Sequence, residues 1–303
     1  MDLAGQRFLV TGGTGFIGSF VVERLVGEGA DVVAFDATPR PENLGDLAER
    51  VEIVEGDVRD VDALAKVTEA AAGVFHMAVL PLGPTIEQPR LGLEVNVVGT
   101  YNVLEAAQNA GAKKVVFSSA SSVYGDTDET MDESHPLGAR TMYGASKISG
   151  EYLLRAFADE GPLEYVTLRY MNVYGPRQAG GLVMSVLWRI LSGEAPVIAG
   201  DGSQSFDFIH VADVADANVR AMASDVSGVE LNVGSGTEVS VADIVRRLIE
   251  LTGSDLEPEF DPSQKVHMRR RVGSSERARE LLGWTASRDL ETGLRDVVDS
   301  VRG

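Results

Sequence analysis

Tyr143 and Lys147 stand four residues apart in the stretch MYGASK. On a helix that spacing puts both side chains on one face. An ammonium beside a phenol favours the phenolate and is expected to lower the tyrosine pKa. A phenol tuned toward neutrality can take or return the proton of a substrate hydroxyl while a hydride moves. Lys147 can also hold the ribose of a nicotinamide. A second cluster, FSSASSVYGD from Phe117 to Asp126, crowds four serines around Ala120 at the end of an expected strand. Hydroxyls so placed invite a catalytic reading.

The elements that must position these groups follow from hydrophobic periodicity. RFLVTGGTGFIGSFVVERLVGEGADVVAFD reads as strand, glycine turn, helix, strand. VEIVEGD and GVFHMAV are two more strands, with the helix DVDALAKVTEAA between them. LEVNVVGTYNVLEAAQNAG is an amphipathic helix, because Val95, Val98, Tyr101, Leu104 and Ala107 recur at three- and four-residue spacing. KKVVFSS is a strand, the segment from Met142 to a closing Gly161 a helix, and LEYVTLRYMNVYG a further strand. Strands alternating with helices imply an α/β fold, a Rossmann-type doubly wound parallel sheet. From Tyr174 onward, loop-like stretches alternate with short strands and helices. The expected division is a dinucleotide-binding domain over residues 1–173, with a return segment at about 206–231. A smaller C-terminal α/β substrate-binding region takes residues 174–205 and 232–303.

The turn VTGGTGFIGS satisfies the dinucleotide pattern in two registers, Gly13-x-Gly15-x-x-Gly18 and Gly12-x-x-Gly15-x-x-Gly18. It follows a strand and opens a helix, whose N-terminus offers free N–H groups and a positive dipole end to phosphates. Asp36 ends the next strand, where its carboxylate can hold both ribose hydroxyls and repel a 2′-phosphate. NAD is therefore the expected cofactor rather than NADP, with Arg40 tempering the preference. Asp57 can face an adenine amine and Val58 can pack on its ring.

Composition bounds the rest. The chain has 303 residues, 44% of them hydrophobic, which is ample for a core. Its net charge of −19 argues against nucleic acid and anionic membrane as partners. Any anionic ligand must then be met by local positive charge. No apolar run is long enough to span a bilayer, and the start lacks the pattern of a signal peptide. Zero cysteines fit a cytoplasmic enzyme. His76, His135, His210 and His267 show no metal-ligand spacing, so no metal site is expected.

Taken together, TGGTGFIG, EGDVRD, HMAV, NVVGTYNVLEAA, FSSASSVYGD, YGASK, LRYMNVYGPRQ, GDGSQSFDFIHVADVADA, NVGSG and ARELLGW resemble the extended short-chain dehydrogenase/reductases. Within them the chain is similar to the NAD-dependent sugar-nucleotide epimerase/dehydratase family, nearly end to end. The resemblance implies tightly held NAD and a nucleotide-sugar substrate. A ring carbon is oxidised to a keto sugar and then reduced on the opposite face, with Tyr143 as acid/base and Lys147 as its partner. It implies Phe16 and Ile17 beside Gly12, Gly15 and Gly18 at the cofactor. His76, Met77 and Ala78 would lie along it, with Asn96, Ser118, Ser119, Tyr170, Asn172 and Val173 close by. Val79, Ser121, Ser122, Asn172, Arg177, Phe206 and Arg271 are the implied substrate contacts, and Gly175 and Pro176 shape the turn before Arg177. A homodimer through the helices of Tyr101 and Tyr143 is implied as well.

Two departures from the family pattern stand out. The third catalytic hydroxyl belongs four residues before the tyrosine of VYG, and Tyr124 puts that place at Ala120. Ser121 is the expected substitute. The acidic residues of dehydratases are replaced by Ser121 and Ser122, and a decarboxylase glutamate by Ser122, so epimerisation is favoured over both. Where relatives carry an arginine that grips the diphosphate, this chain has Phe206. Arg177 and the run Arg269-Arg270-Arg271 remain as candidate cations. A sugar oxidoreductase or decarboxylase, and an NAD-binding protein without catalysis, stand as alternatives.

Overall fold

The computed structural model describes residues 1–302 apart from 265 and 267, so His267 lies outside the described residues. Six strands form in chain order before residue 171: β1 (Arg7–Thr11), β2 (Asp31–Asp36), β3 (Glu52–Glu55), β4 (Gly73–His76), β5 (Lys114–Ala120) and β6 (Glu164–Tyr170). Seven follow: β7 (Asn172–Tyr174), β8 (Val197–Ala199), β9 (Ser205–His210), β10 (Val229–Val233), β11 (Glu238–Ser240), β12 (Glu259–Asp261) and β13 (Arg270–Arg271). The helices are α1 (Phe16–Gly27), α2 (Val61–Val67), α3 (Leu82–Glu87), α4 (Pro89–Leu93), α5 (Gly99–Asn109) and α6 (Met142–Glu160). After them come α7 (Leu182–Leu191), α8 (Val211–Ala223), α9 (Val241–Thr252), α10 (Glu276–Leu282) and α11 (Leu290–Arg302).

The main sheet has seven parallel strands in the order β10-β6-β5-β4-β1-β2-β3. Its central strands are buried on both faces, which is why FLV and VVF read as unbroken apolar runs rather than alternations. One face packs on α1 and α8 and the other on α2, α5 and α6. The strand order reverses between β1 and β4, and ligands bind at the carboxyl ends of strands at such a point. Both loops that leave this point carry residues singled out from sequence: Gly12 after β1, Met77 and Ala78 after β4.

A second sheet is built on β9, which pairs antiparallel with β11 and parallel with β13 and β7. It corrects the expected boundary. Residues 205–210 belong to this second sheet, so the return to the main sheet starts only with α8 and β10. The continuous strand expected from LEYVTLRYMNVYG likewise breaks at Met171, whose N–H donates to Val233 O, and Asn172–Tyr174 then pairs with β9. A third apolar cluster, from α7, α9 and α11, fills this end of the molecule.

The long helix expected from Leu93 forms, but it widens within its first turns. Between α4 and α5 the residues Glu94–Val98 form one wide π turn. Such turns are rare and often sit at functional sites. This one places Asn96 inside the protein rather than along a regular helical face. Helix α6 forms as expected, capped at its start by the Thr141 hydroxyl, which accepts from Gly144 N at 3.0 Å.

Trp284 closes the base of the fold: it is 1% exposed and its Nε1 donates to Asp213 O at 3.1 Å. Trp284→Ala is expected to lower unfolding stability by about 3–5 kcal/mol. Urea unfolding followed by circular dichroism checks this value.

Candidate active site

The cofactor cavity, about 570 Å³, lies at the switch point of the sheet. Gly12 has φ +68°, and a methyl group there would fall 2.9 Å from Ala78 N. A methyl group on Gly18 would fall 2.0 Å from Gly12 O. Glycine is thus required for the turn itself and for the approach of α1 to it. Of the two registers read from sequence, the one through Gly12, Gly15 and Gly18 lines the cavity. Gly13 instead packs on Ala34 and Val10. Phe16, Ile17 and Gly18 bring the free N–H groups of the first turn of α1 to the same wall.

Asp36 lines this cavity at the end of β2. Its Oδ2 accepts from Thr14 N at 3.2 Å and from Thr14 Oγ1 at 2.8 Å, which ties it to the glycine turn. Arg40 lines the cavity too, its N–H donating to Thr14 Oγ1. Asp57 and Val58 form the far wall. The Arg59 guanidinium holds the Asp57 carboxyl below its usual range. Val58 is set in place by Asn102, which donates to its carbonyl, and by Gly99, where a methyl group would collide with it. Met77, Ala78, Ser118 and Tyr143 complete the part of the lining foreseen from sequence. A glycine cradle at a helix N-terminus with a carboxylate at the end of the next strand fits NAD.

Several expected contacts lie elsewhere. His76 is buried between Thr11 Oγ1, 2.7 Å from Nδ1, and Thr100 Oγ1, 3.0 Å from Nε2. Burial pushes it down to about 3, so it is a neutral core residue, and it lines neither cavity. Asn96 spends its amide on Leu80 N, Leu80 O and Ser146 Oγ, and so shapes the loop after β4 without reaching the cavity. Ser119 turns away from both cavities, as regular alternation in a strand requires, and its hydroxyl donates to Glu151. Val79, expected at the substrate, lines the cofactor cavity.

A second cavity, about 710 Å³, lies between the main sheet and the second sheet. Tyr170 and Val173, expected at the cofactor, line this one, and so does Asn172, expected at cofactor and substrate alike. So do Ala120, Ser121 and Ser122, and, from β9 and β13, Phe206 and Arg271, which stand side by side in register. The Ser122 hydroxyl is buried with no hydrogen-bond partner among the described residues, and so is Nε of Arg271. Sequence reasoning missed Gln178 and Gln204 as lining residues. Both sat inside quoted motifs, but nothing local marked their side chains as facing a cavity. Among the described lining residues Arg271 is the one cation, and none is a carboxylate. Of its neighbours in the run, Arg270 pairs with Glu238 and Arg269 faces an adjoining groove.

Arg177, expected at the substrate, lines neither cavity. Both of its Nη atoms reach Glu23, at 3.1 and 2.8 Å, one also reaches Ser19 Oγ, and its guanidinium lies 4.3 Å from the Phe20 ring centroid. It fastens the loop after β7 to α1.

Tyr143 lines both cavities. Lys147 is 3% exposed, and its ammonium donates to Ser118 O at 2.7 Å. Its Nζ lies 5.8 Å from the Tyr143 ring centroid. Burial pushes the tyrosine up to about 12, and the opposing charge is that of Arg271. The expectation that Lys147 brings this phenol toward neutrality is therefore not met in the chain alone. Burial also brings Lys147 down to about 7, against the pull of Glu151. Among the described residues no cluster of three or more His, Cys, Asp or Glu can hold a metal ion.

Fold and site fit an NAD-dependent enzyme, and Tyr143 lines both cavities. Residues 8–234 match the model of the NAD dependent epimerase/dehydratase family, and the chain belongs to that family. It is 36% identical over 309 residues to a UDP-glucose 4-epimerase of Mycolicibacterium smegmatis, covering 98% of this chain and 99% of that one. A solved UDP-glucose 4-epimerase of Thermotoga maritima with UDP-glucose superposes with TM-score 0.93 at 34% identity, over 98% and 99% of the two chains. A Thermus thermophilus UDP-glucose 4-epimerase complexed with NAD gives TM-score 0.89 at 32% identity, over 98% and 99%. The chemistry is that of a sugar-nucleotide epimerase, and NAD is the cofactor.

Arg177→Ala is expected to lower the melting temperature while leaving KM for a nucleotide sugar within about twofold, since its partners are Glu23 and Ser19. Thermal melts and steady-state kinetics on one preparation check both halves.

Proposed function

We propose that this chain interconverts UDP-hexoses epimeric at carbon 4. The observation that carries the reading is Tyr143, which alone among the described residues lines both cavities. Gly12, Gly15, Gly18 and Asp36 would hold NAD, which when bound takes up a hydride from the sugar carbon and returns it. Tyr143 accepts the proton of the sugar hydroxyl and gives it back. Lys147 supplies positive charge behind it, and Arg271 supplies it from the substrate side.

The diphosphate falls to Arg271. Its buried Nε lacks a partner among the described residues, and a guanidinium suits phosphate. Phe206 stands beside it in register and adds an apolar wall where relatives place a second arginine. Ser121 and Ser122 offer hydroxyls to the sugar in place of Ala120. A carboxylate-free cavity in a chain of net charge −19 also supports an anionic substrate.

A homodimer is part of the proposal. Val98, Tyr101, Met142 and Tyr152 leave apolar side chains exposed around α5 and α6. A cytoplasmic location rests on the absence of cysteine from the sequence.

Tyr143→Phe keeps the ring and removes the proton carrier. Turnover of UDP-galactose to UDP-glucose, read by proton NMR, is expected to fall by about 10²–10⁴ with NAD retained. Ser121→Ala is expected to lower turnover at least about 10-fold, as removal of a hydrogen-bond donor at a reacting oxygen does. Near-normal turnover in that variant would mean that Ser121 does not supply the missing hydroxyl.

A further inference from the structure

Behind the catalytic face lies a buried charge cluster that the proton transfer itself does not use. Glu151 sits one helical turn beyond Lys147 on α6 and is 1% exposed. Arg169, on β6, meets it with two bonds: Nε to Oε1 at 3.0 Å and Nη2 to Oε2 at 2.7 Å. The Ser119 hydroxyl donates to the same Oε1 at 2.6 Å. Two successive residues of β5 thus grip two successive turns of α6, since Ser118 O accepts from Lys147 and Ser119 Oγ donates to Glu151. Arg169 is pinned from its other side. Its Nη1 donates to the Tyr124 hydroxyl at 2.9 Å, and that hydroxyl donates to Asn232 Oδ1 at 2.7 Å.

We propose that Glu151 is a positioning residue for catalysis: the buried anion one helical turn from Lys147, paired with Arg169 and fixed to β5 by Ser119, next to the Ser118 carbonyl that holds the ammonium behind Tyr143. Glu151 and Arg169 form the buried ion pair, and Lys147 lies one helical turn from it with its ammonium on Ser118 O. An unpaired charge buried there would give up its charge or break the packing. The groups facing Lys147 are few. His76 approaches from β4, and burial keeps it neutral. The Phe117 ring on β5 lies 5.0 Å from Nζ. Tyr143 and Glu151 flank it on α6, Arg169 from β6 pairs with Glu151, Tyr170 from β6 lies near Tyr143, and Arg271 bears on Tyr143 from β13. Glu151 is the one anion among them, and its pull on Lys147 opposes the effect of burial.

The inference rests on the role given to Lys147 in the proposed reaction, but its test reads charge and not turnover. The chain has only five lysines, so NAD-loaded protein carrying lysine labelled with carbon-13 at the ε position gives few signals. Lys147 is assigned by its loss in Lys147→Met. In Glu151→Gln its titration midpoint is expected to move acidward by about one pH unit or more. In Arg169→Gln, which leaves Glu151 to Lys147 alone, the midpoint is expected to move the opposite way. If Glu151→Gln does not fold, the alkaline shift in Arg169→Gln carries the test. Midpoints within about 0.3 pH units of the wild type in folded variants, or shifts of one sign in both, overturn the proposal.

Discussion

Gly18 stands so close to the turn before it that a methyl group would come within 2.0 Å of Gly12 O. Everything at the site depends on that closeness. It lets α1 start directly over the end of β1, so that its first N–H groups open into the cavity. Gly12 itself, bare of a side chain, lets the turn press against Ala78 in the loop after β4. The two loops meet at the reversal of strand order, and the crevice that NAD needs follows from the meeting.

The reaction asks for charge in a place that burial makes hostile to it. Tyr143 and Lys147 are both pushed toward their neutral forms, one up to about 12 and the other down to about 7. In the proposed reaction the phenol is the group that changes protonation, so a counter-charge on either side matters more than the spacing of the pair. Arg271 bears on it from the substrate cavity. Lys147 waits 5.8 Å from its ring, held by a strand carbonyl and backed by Glu151. A diphosphate drawn to Arg271 would alter the field at Tyr143, which links substrate binding to the proton transfer.

What the sequence showed plainly was what is local in sequence. The glycine turn, Asp36 and the pair on α6 are each fixed by spacing within one or two elements, and their side chains fall where the spacing puts them. Long-range partners were hidden. Arg177 looked like a free cation because Glu23, which claims it, lies 154 positions away. Asn96 looked close to the cofactor because the wide turn that draws it inward has no marker in LEVNVVG. Ser119 was legible in principle. Alternation along β5 holds to its last residue, so Ser118 and Ala120 share one face and Ser119 takes the other. The boundary between the two regions was misplaced for a similar reason. The run of Asn172–Tyr174 reads as a continuation of β6 until its backbone is seen to pair with β9.

The central claim is that a hydride leaves a sugar carbon and returns to it within one site, with Tyr143 carrying the proton. Tracing deuterium placed at carbon 4 of UDP-galactose tests it most directly. The account predicts UDP-glucose that retains the label at carbon 4, with no net accumulation of NADH. Loss of the label to solvent, or NADH accumulating in step with substrate consumed, would contradict it.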